Sequence, residues 1–176
     1  MERGDLLGVH RLPGHGRSVA LSLYDSPMAT LSGDYEPSPS EWVRDQVAEY
    51  EASDGQRANT LLDTGMPIVV LTTKGAQSGK VRKTPVMRVE HDGHYALVAS
   101  QGGAPTHPQW FHNLEAHPDD VLLQDGAEAV AVDVRQVEGD EKATWWERAV
   151  AAYPPYAEYQ EKTTRQIPVF ITTPKG

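Results

Sequence analysis

A cationic turn lies inside an acidic chain. Residues 71–86 read LTTKGAQSGKVRKTPV, and from Thr64 to Val89 there is no Asp or Glu, whereas Lys74, Lys80, Arg82, Lys83 and Arg88 all fall in that window. The chain as a whole has 176 residues and a formal net charge of -9. A local reversal of that kind points to an anion site. Backbone N–H groups of a turn such as Gly75, Gln77, Ser78 and Gly79 can converge on a phosphate or carboxylate, and flanking Lys and Arg add charge-assisted hydrogen bonds. The same residues also fit a hairpin turn with a solvated basic rim, because short Gly-rich signals are weak by themselves.

Three other groups carry chemical potential. Ser100-Gln101-Gly102-Gly103 follows an apolar run, and paired glycines let a backbone approach a ligand closely, although plain turn chemistry explains them equally. In Pro108-Gln109-Trp110-Phe111-His112-Asn113-Leu114, Trp110 and Phe111 can wall a flat ring and Asn113 can hydrogen-bond a ligand; the aromatics fit a core as well. Tyr153, Tyr156 and Tyr159 recur three apart across Pro154-Pro155. Three phenols on one approximate face suit a planar, oxygen-bearing substrate, and a Tyr hydroxyl can donate to an oxygen that gains negative charge during reduction. Nothing in the spacing separates this from a packing stripe. His107, His112 and His117 step about 140° around a helix and share no face, so no metal site is expected. No G-x-S-x-G is present for a serine nucleophile.

The elements that must position these groups are legible in outline. Ser38-Pro39-Ser40-Glu41 reads as an S-x-x-E capping box with Pro at the first helical position, and Trp42, Val43, Val47 and Tyr50 recur on one expected buried face up to a stop at Gly55. Strands are expected over 68–73, 82–90 and 95–100, forming an antiparallel meander with a turn at His91-Asp92-Gly93. A short helix over 108–117 follows, then strands 121–124 and 129–137 flanking Asp125-Gly126, a hairpin signal. Residues 140–153 read as a helix with Trp145, Ala149 and Val150 on one side. Pro154-Pro155 breaks it, helical spacing resumes over 156–163, and 167–173 closes the chain as a strand. This order has too many adjacent strands for a doubly wound sheet. An α+β, mainly antiparallel barrel of about six strands with helices packed outside fits better.

Composition bounds the function. A hydrophobic content of 39% with 23% charged residues is that of a globular protein with its own core. No apolar run nears the length of a membrane span and the start lacks a secretory layout, so a cytoplasmic protein is expected. Zero cysteines exclude disulfides, thiolate metal sites and iron–sulfur clusters, leaving redox chemistry to a bound organic cofactor or a non-thiolate metal. A pI near 5.2 argues against nucleic acid as a partner. The first 27 residues, with four Gly and two Pro and no sustained period, read as a disordered extension, upstream of a domain over 28–176.

Several ordered motifs together resemble the deazaflavin-dependent nitroreductase and quinone reductase family, actinobacterial proteins that bind coenzyme F420 on a split β-barrel. They are Gly75-x-x-Ser78-Gly79-x-x-Arg82-x-x-Pro85, Ser100-x-Gly102-Gly103-Ala104, His107-Pro108-x-Trp110-Phe111-x-Asn113-Leu114, Tyr153-Pro154-x-Tyr156-x-x-Tyr159-Gln160 and Arg165-x-Ile167-Pro168-Val169. The resemblance implies that Gly75, Gln77, Ser78, Gly79, Lys80, Arg82, Lys83, Thr84, Pro85 and Val86 hold the phosphate and acidic tail of the coenzyme. Ser100, Gln101, Gly102, Trp110 and Asn113 would lie toward its ring, and Tyr153, Tyr156, Tyr159 and Ser100 would serve the substrate side. It further implies an F420H2-dependent oxidoreductase that passes hydride from the deazaflavin C5 to a small electron-poor acceptor, a quinone, an activated enone or a nitroaromatic. Family members carry basic residues where this chain has Ala76 and Gln77, a Lys at Gln101 and an aromatic at Met87. The last departure puts nitroimidazole reduction in question. Alternatives are a flavin mononucleotide enzyme on a related barrel and a non-catalytic carrier of F420 or a quinone. Peripheral membrane association through Trp42 and the N-terminal segment is a further role, with anionic lipids disfavoured by the acidic balance. Monomer and homodimer are both open.

Overall fold

The computed structural model describes residues 29–176, and the expected extension over 1–27 lies outside them. Helix α1 (Glu41–Ala52) precedes strands β1 (Ile68–Lys74), β2 (Val81–Met87), β3 (Glu90–His91) and β4 (His94–Val98). Helix α2 (Gln109–Ala116), strands β5 (Leu122–Gln124) and β6 (Ala129–Gln136), helices α3 (Gly139–Ala152) and α4 (Pro155–Lys162), and strand β7 (Val169–Pro174) complete the order. The expected α+β barrel is present, with seven strands in one sheet ordered β2-β1-β5-β6-β7-β4-β3, every strand pair antiparallel.

The period-2 alternation of strand side chains builds two faces. Val69 and Leu71 of β1, Leu97 of β4, Leu123 of β5, Val132 of β6 and Phe170 of β7 meet in the barrel interior, where Phe111 and Leu114 of α2 close one end. The alternate residues Ile68 and Val70 face Val47 and Tyr50 of α1, and Ala96, Val98, Val169 and Ile171 face Trp145 and Ala149 of α3. Burial on both faces explains why β1 reads as an unbroken apolar run.

Three expectations are corrected. The strands after residue 67 form no meander: β1 and β2 make one hairpin and β3 and β4 another, at opposite ends of the hydrogen-bonding order. The chain crosses between them at Arg88-Val89, with Arg88 N–H donating to Pro67 O and Ala96 N–H to Val89 O. β2 therefore keeps an edge unpaired with β4, and Pro85, which has no N–H to offer, sits on that edge strand. Second, α1 starts at Glu41 with Ser40 as its N-cap, because Ser38 Oγ accepts from Ser40 N–H instead of capping a helix that begins at Pro39. Its stop is a Schellman turn with Asp54 left-handed (φ 54°) and Gly55 N–H bonded to Tyr50 O. Third, Trp42 is not on the buried face: it is 48% exposed, in the first turn of α1.

Candidate functional site

The unpaired edge of β2 leaves a split, and the split is a cleft of about 610 Å³. Its floor and one wall are Arg82 to Met87 of β2. Another part of the lining is Val98 at the end of β4 with Ser100, Gln101 and Gly102 just after it. Pro108, Gln109, Trp110 and Asn113 of α2 close one end, Tyr153, Tyr156 and Tyr159 overhang it from the α3–α4 corner, and Trp42, Val43 and Leu61 form the rim near α1. Segments separated by more than seventy residues thus meet at one place, and thirteen of the expected site residues line it.

Five do not. Gly75, Gln77, Ser78, Gly79 and Lys80 are outside the cleft wall, because β1 and β2 stay paired to Lys74↔Val81 and carry the turn beyond the sheet. Much of the turn's hydrogen-bonding capacity is spent internally: Gly75 N–H donates to Lys80 O, Gly79 N–H to Gly75 O, and Lys80 N–H to Ser78 Oγ. Asn113 is also committed. It is 2% exposed, its Oδ1 accepts from Ala76 N–H (2.9 Å) and Gln109 Nε2 (3.2 Å), and its Nδ2 donates to Thr73 Oγ1 (3.1 Å). It ties the turn to α2 at the cleft's end, so its contribution is to hold the hairpin tip in place.

The cations have partners that sequence reasoning missed. Glu36 Oε2 accepts from Arg82 Nη1 at 2.5 Å and its other oxygen lies 3.8 Å from Lys80 Nζ. Lys83 Nζ bonds Glu51 Oε2 at 2.7 Å and sits 4.9 Å from the centre of the Tyr35 ring. Glu36 arrives because residues 34–36 run beside Val81, whose N–H and carbonyl bond Asp34 O and Glu36 N–H. No local pattern announces an acid 46 residues away from its arginine.

The tyrosines differ from one another. Tyr153 and Tyr159 share a hydroxyl–hydroxyl hydrogen bond of 3.0 Å, and burial, reinforced by that bond, pushes the Tyr153 phenol up to about 12. Tyr156 is 4% exposed, packed edge-on to Tyr153 with ring centres 5.0 Å apart, and burial raises its phenol further still. Its hydroxyl has no hydrogen-bond partner among the described residues, and neither has that of Ser100. The Tyr153 and Tyr156 phenols therefore stay protonated at neutral pH, and Tyr156 offers an O–H donor on the cleft wall that no described residue engages.

The loop facing them is backbone-built. Ser100 is right-handed helical (φ -78°, ψ -38°) and is followed by three left-handed residues, Gln101 (φ 44°), Gly102 (φ 64°) and Gly103 (φ 80°). A Cβ on Gly103 would lie 2.7 Å from Tyr159 O, so glycine there lets α4 rest directly on the loop.

An antiparallel barrel that opens beside its unpaired edge strand, with a cleft at the opening, is a split barrel. The chain belongs to the family of F420H(2)-dependent quinone reductases, whose sequence profile matches residues 42–174. It is 32% identical to the F420H(2)-dependent quinone reductase Rv1261c of Mycobacterium tuberculosis, over 72% of this chain and 85% of that protein. A solved F420-H2 dependent reductase, FDR-A, is 56% identical with a TM-score of 0.57, covering 61% of this chain and 94% of that one. A second solved relative, described as a domain-swapped dimer, is 51% identical with a TM-score of 0.60, over 77% of this chain and the whole of that one. Among the described residues no helix is long and apolar enough to cross a membrane.

Proposed function

We propose that residues 28–176 form one deazaflavin-binding unit that reduces quinone-type acceptors with F420H2 in the cytoplasm. The observation that carries this reading is the Tyr156 hydroxyl, without a partner among the described residues, in a cleft that Arg82 and Lys83 also line. The fit is good on this chain's own features. A volume of about 610 Å³ lies within the roughly 300–1,000 Å³ of small-molecule clefts. Trp110, half-buried and edge-on to Phe170 with ring centres 6.3 Å apart, lines the cleft together with Pro85 and Val86, an apolar surface suited to a flat ring. Arg82 and Lys83, which line the cleft, would pair with the acidic tail of the coenzyme.

Reduced F420, when bound, supplies a hydride from C5. The chain's part is to hold the acceptor over the ring side, with Tyr153 and Tyr159 locked to each other as a wall and Val98, Met87 and Leu61 excluding water. As a quinone takes up two electrons with the hydride, one carbonyl oxygen gains negative charge. Tyr156 Oη donates a hydrogen bond to that oxygen, with Ser100 Oγ as a second donor, and a proton from water completes the hydroquinone. Enones and nitroaromatics present an oxygen that gains charge in the same way, and the acceptor screen includes them.

Binding is tested by fluorescence titration with oxidised F420 and, in parallel, flavin mononucleotide, against an Arg82→Ala/Lys83→Ala variant. Selective deazaflavin binding that weakens at least about tenfold in the variant is the expected result. Equal binding of the flavin, or binding indifferent to both cations, contradicts the assignment. A further outcome follows from the Glu36 contact. Glu36→Gln releases Arg82 and removes a competing carboxylate, so F420 affinity should rise about two- to fivefold, the range of an exposed ion pair. Unchanged affinity would show that Arg82 does not meet the coenzyme.

A further inference from the structure

Arg165 lies between α4 and β7, half-buried and outside the cleft, yet it makes more side-chain hydrogen bonds than any residue that lines it. Its Nε donates to Ala104 O (2.9 Å), Nη1 to Ala99 O (3.0 Å) and to His107 Nδ1 (3.0 Å), and Nη2 to Ser100 O (2.7 Å). Four of the five guanidinium donors are used, and their acceptors bracket the left-handed loop on both sides. The backbone of Arg165 is in turn fixed to α4, since Gln160 Nε2 donates to Arg165 O and Gln160 Oε1 accepts from Ile167 N–H.

The loop needs such a hold. Gln101 has a Cβ and a positive φ, a conformation that costs about 1 kcal/mol or more outside glycine. Two glycines follow it and supply no side-chain packing. A right-handed residue followed by a left-handed one turns successive N–H groups toward a common point, a geometry that receives anionic oxygens. Among the described residues no backbone acceptor takes the N–H of Gln101 or Gly102.

We propose that Arg165 is a positioning residue. By bridging Ala99, Ser100, Ala104 and His107 it holds the Ser100–Gly103 loop against α4 and keeps the Ser100 hydroxyl and the Gln101 and Gly102 amides on the cleft wall. The role rests on the reading that the cleft takes the deazaflavin, and it extends that reading to a residue with no contact to cofactor or acceptor. A lysine cannot replace the guanidinium, since one ammonium cannot reach acceptors on both sides of the loop.

His107 makes the hold sensitive to acid. Its Nδ1 accepts from Arg165, so it must be the neutral Nε2–H tautomer. Burial, then the Arg165 and His112 charges, lower its pKa below the ordinary 6.5, with Glu115 opposing. Because the unfolded or released histidine binds a proton more readily than the bonded one, the contribution is complete above about pH 6.5 and is lost as pH falls through the lowered value.

The test is amide hydrogen exchange on the full-length protein without coenzyme, combined with F420 titration, for wild type, Arg165→Met, Arg165→Lys and His107→Asn. In Arg165→Met, exchange of the bonded loop amides of Ser100, Gly103 and Ala104 should quicken about tenfold or more while β5 and β6 keep their protection, and F420 affinity should fall about tenfold. Arg165→Lys should behave like the Met variant. Wild-type loop exchange, corrected for intrinsic rates, should rise as pH drops below about 6.5, and His107→Asn should abolish that rise. Unchanged loop exchange in Arg165→Met, or an equal increase in β5 and β6, overturns the inference even if wild type reduces quinones. Failure of wild type to bind F420 contradicts the proposed function instead, and the exchange data then decide the loop assignment by themselves.

Discussion

Tyr156→Phe should leave the protein folded and able to bind F420 while lowering kcat/KM for quinones about 100-fold, the loss typical of removing one donor to a developing oxyanion. The hydroxyl has no partner among the described residues, so its removal breaks no internal hydrogen bond. The ring supplies the packing, edge-on to Tyr153 and 6.2 Å from Trp146, and phenylalanine keeps it. Stability should therefore change by less than about 0.5 kcal/mol. Tyr159→Phe is the internal comparison: it breaks the 3.0 Å bond to Tyr153 and frees the Tyr153 hydroxyl, so its effect on the acceptor should be smaller than that of Tyr156→Phe. Steady-state kinetics with saturating coenzyme, alongside thermal melts, separate the two. No loss in either variant would mean that the tyrosines act as a wall alone.

Asn113→Ala should act in the opposite manner, on stability first. The side chain satisfies Ala76 N–H, Gln109 Nε2 and Thr73 Oγ1 in a nearly solvent-free position, and alanine leaves those groups unpaired. A loss of about 2–3 kcal/mol is expected, hence a Tm lower by about 5 °C or more for a chain of this size. F420 affinity should fall along with it, because the hairpin that carries Arg82 and Lys83 loses its tie to α2. If Asn113 instead bound the ligand directly, affinity would fall with no change in Tm.

Asn113 also shows how far the sequence could be read. Its presence at the site was legible from a motif, but the partner of its amide was not, since Thr73 and Ala76 are 40 and 37 residues away. The barrel class, the helices and the β5–β6 hairpin followed from periodicity and turn residues, which are local. What failed was pairing. The 68–100 stretch contains the right strands, yet β4 prefers β7, a partner more than seventy residues on, to its neighbour β2. That choice creates the cleft, and no residue near β2 encodes it. Glu36 was invisible in the same way, and Arg165 stood in a motif without a role: an isolated acid and an arginine in a loop acquire one only when remote backbone arrives beside them. Trp42 misled because helical spacing assigns a face but not which end of the helix reaches past the sheet.

In the proposed reaction F420H2 reduces a quinone in this cleft with Tyr156 at the oxygen that gains charge. The most direct measurement is anaerobic single-turnover mixing of the F420H2-loaded protein with a soluble benzoquinone analogue, following recovery of oxidised F420 in wild type and Tyr156→Phe. One equivalent of coenzyme should be oxidised per quinone, with the variant slowed about 100-fold at unchanged coenzyme affinity. Oxidation no faster than in buffer, or a Tyr156→Phe rate equal to wild type, would contradict it.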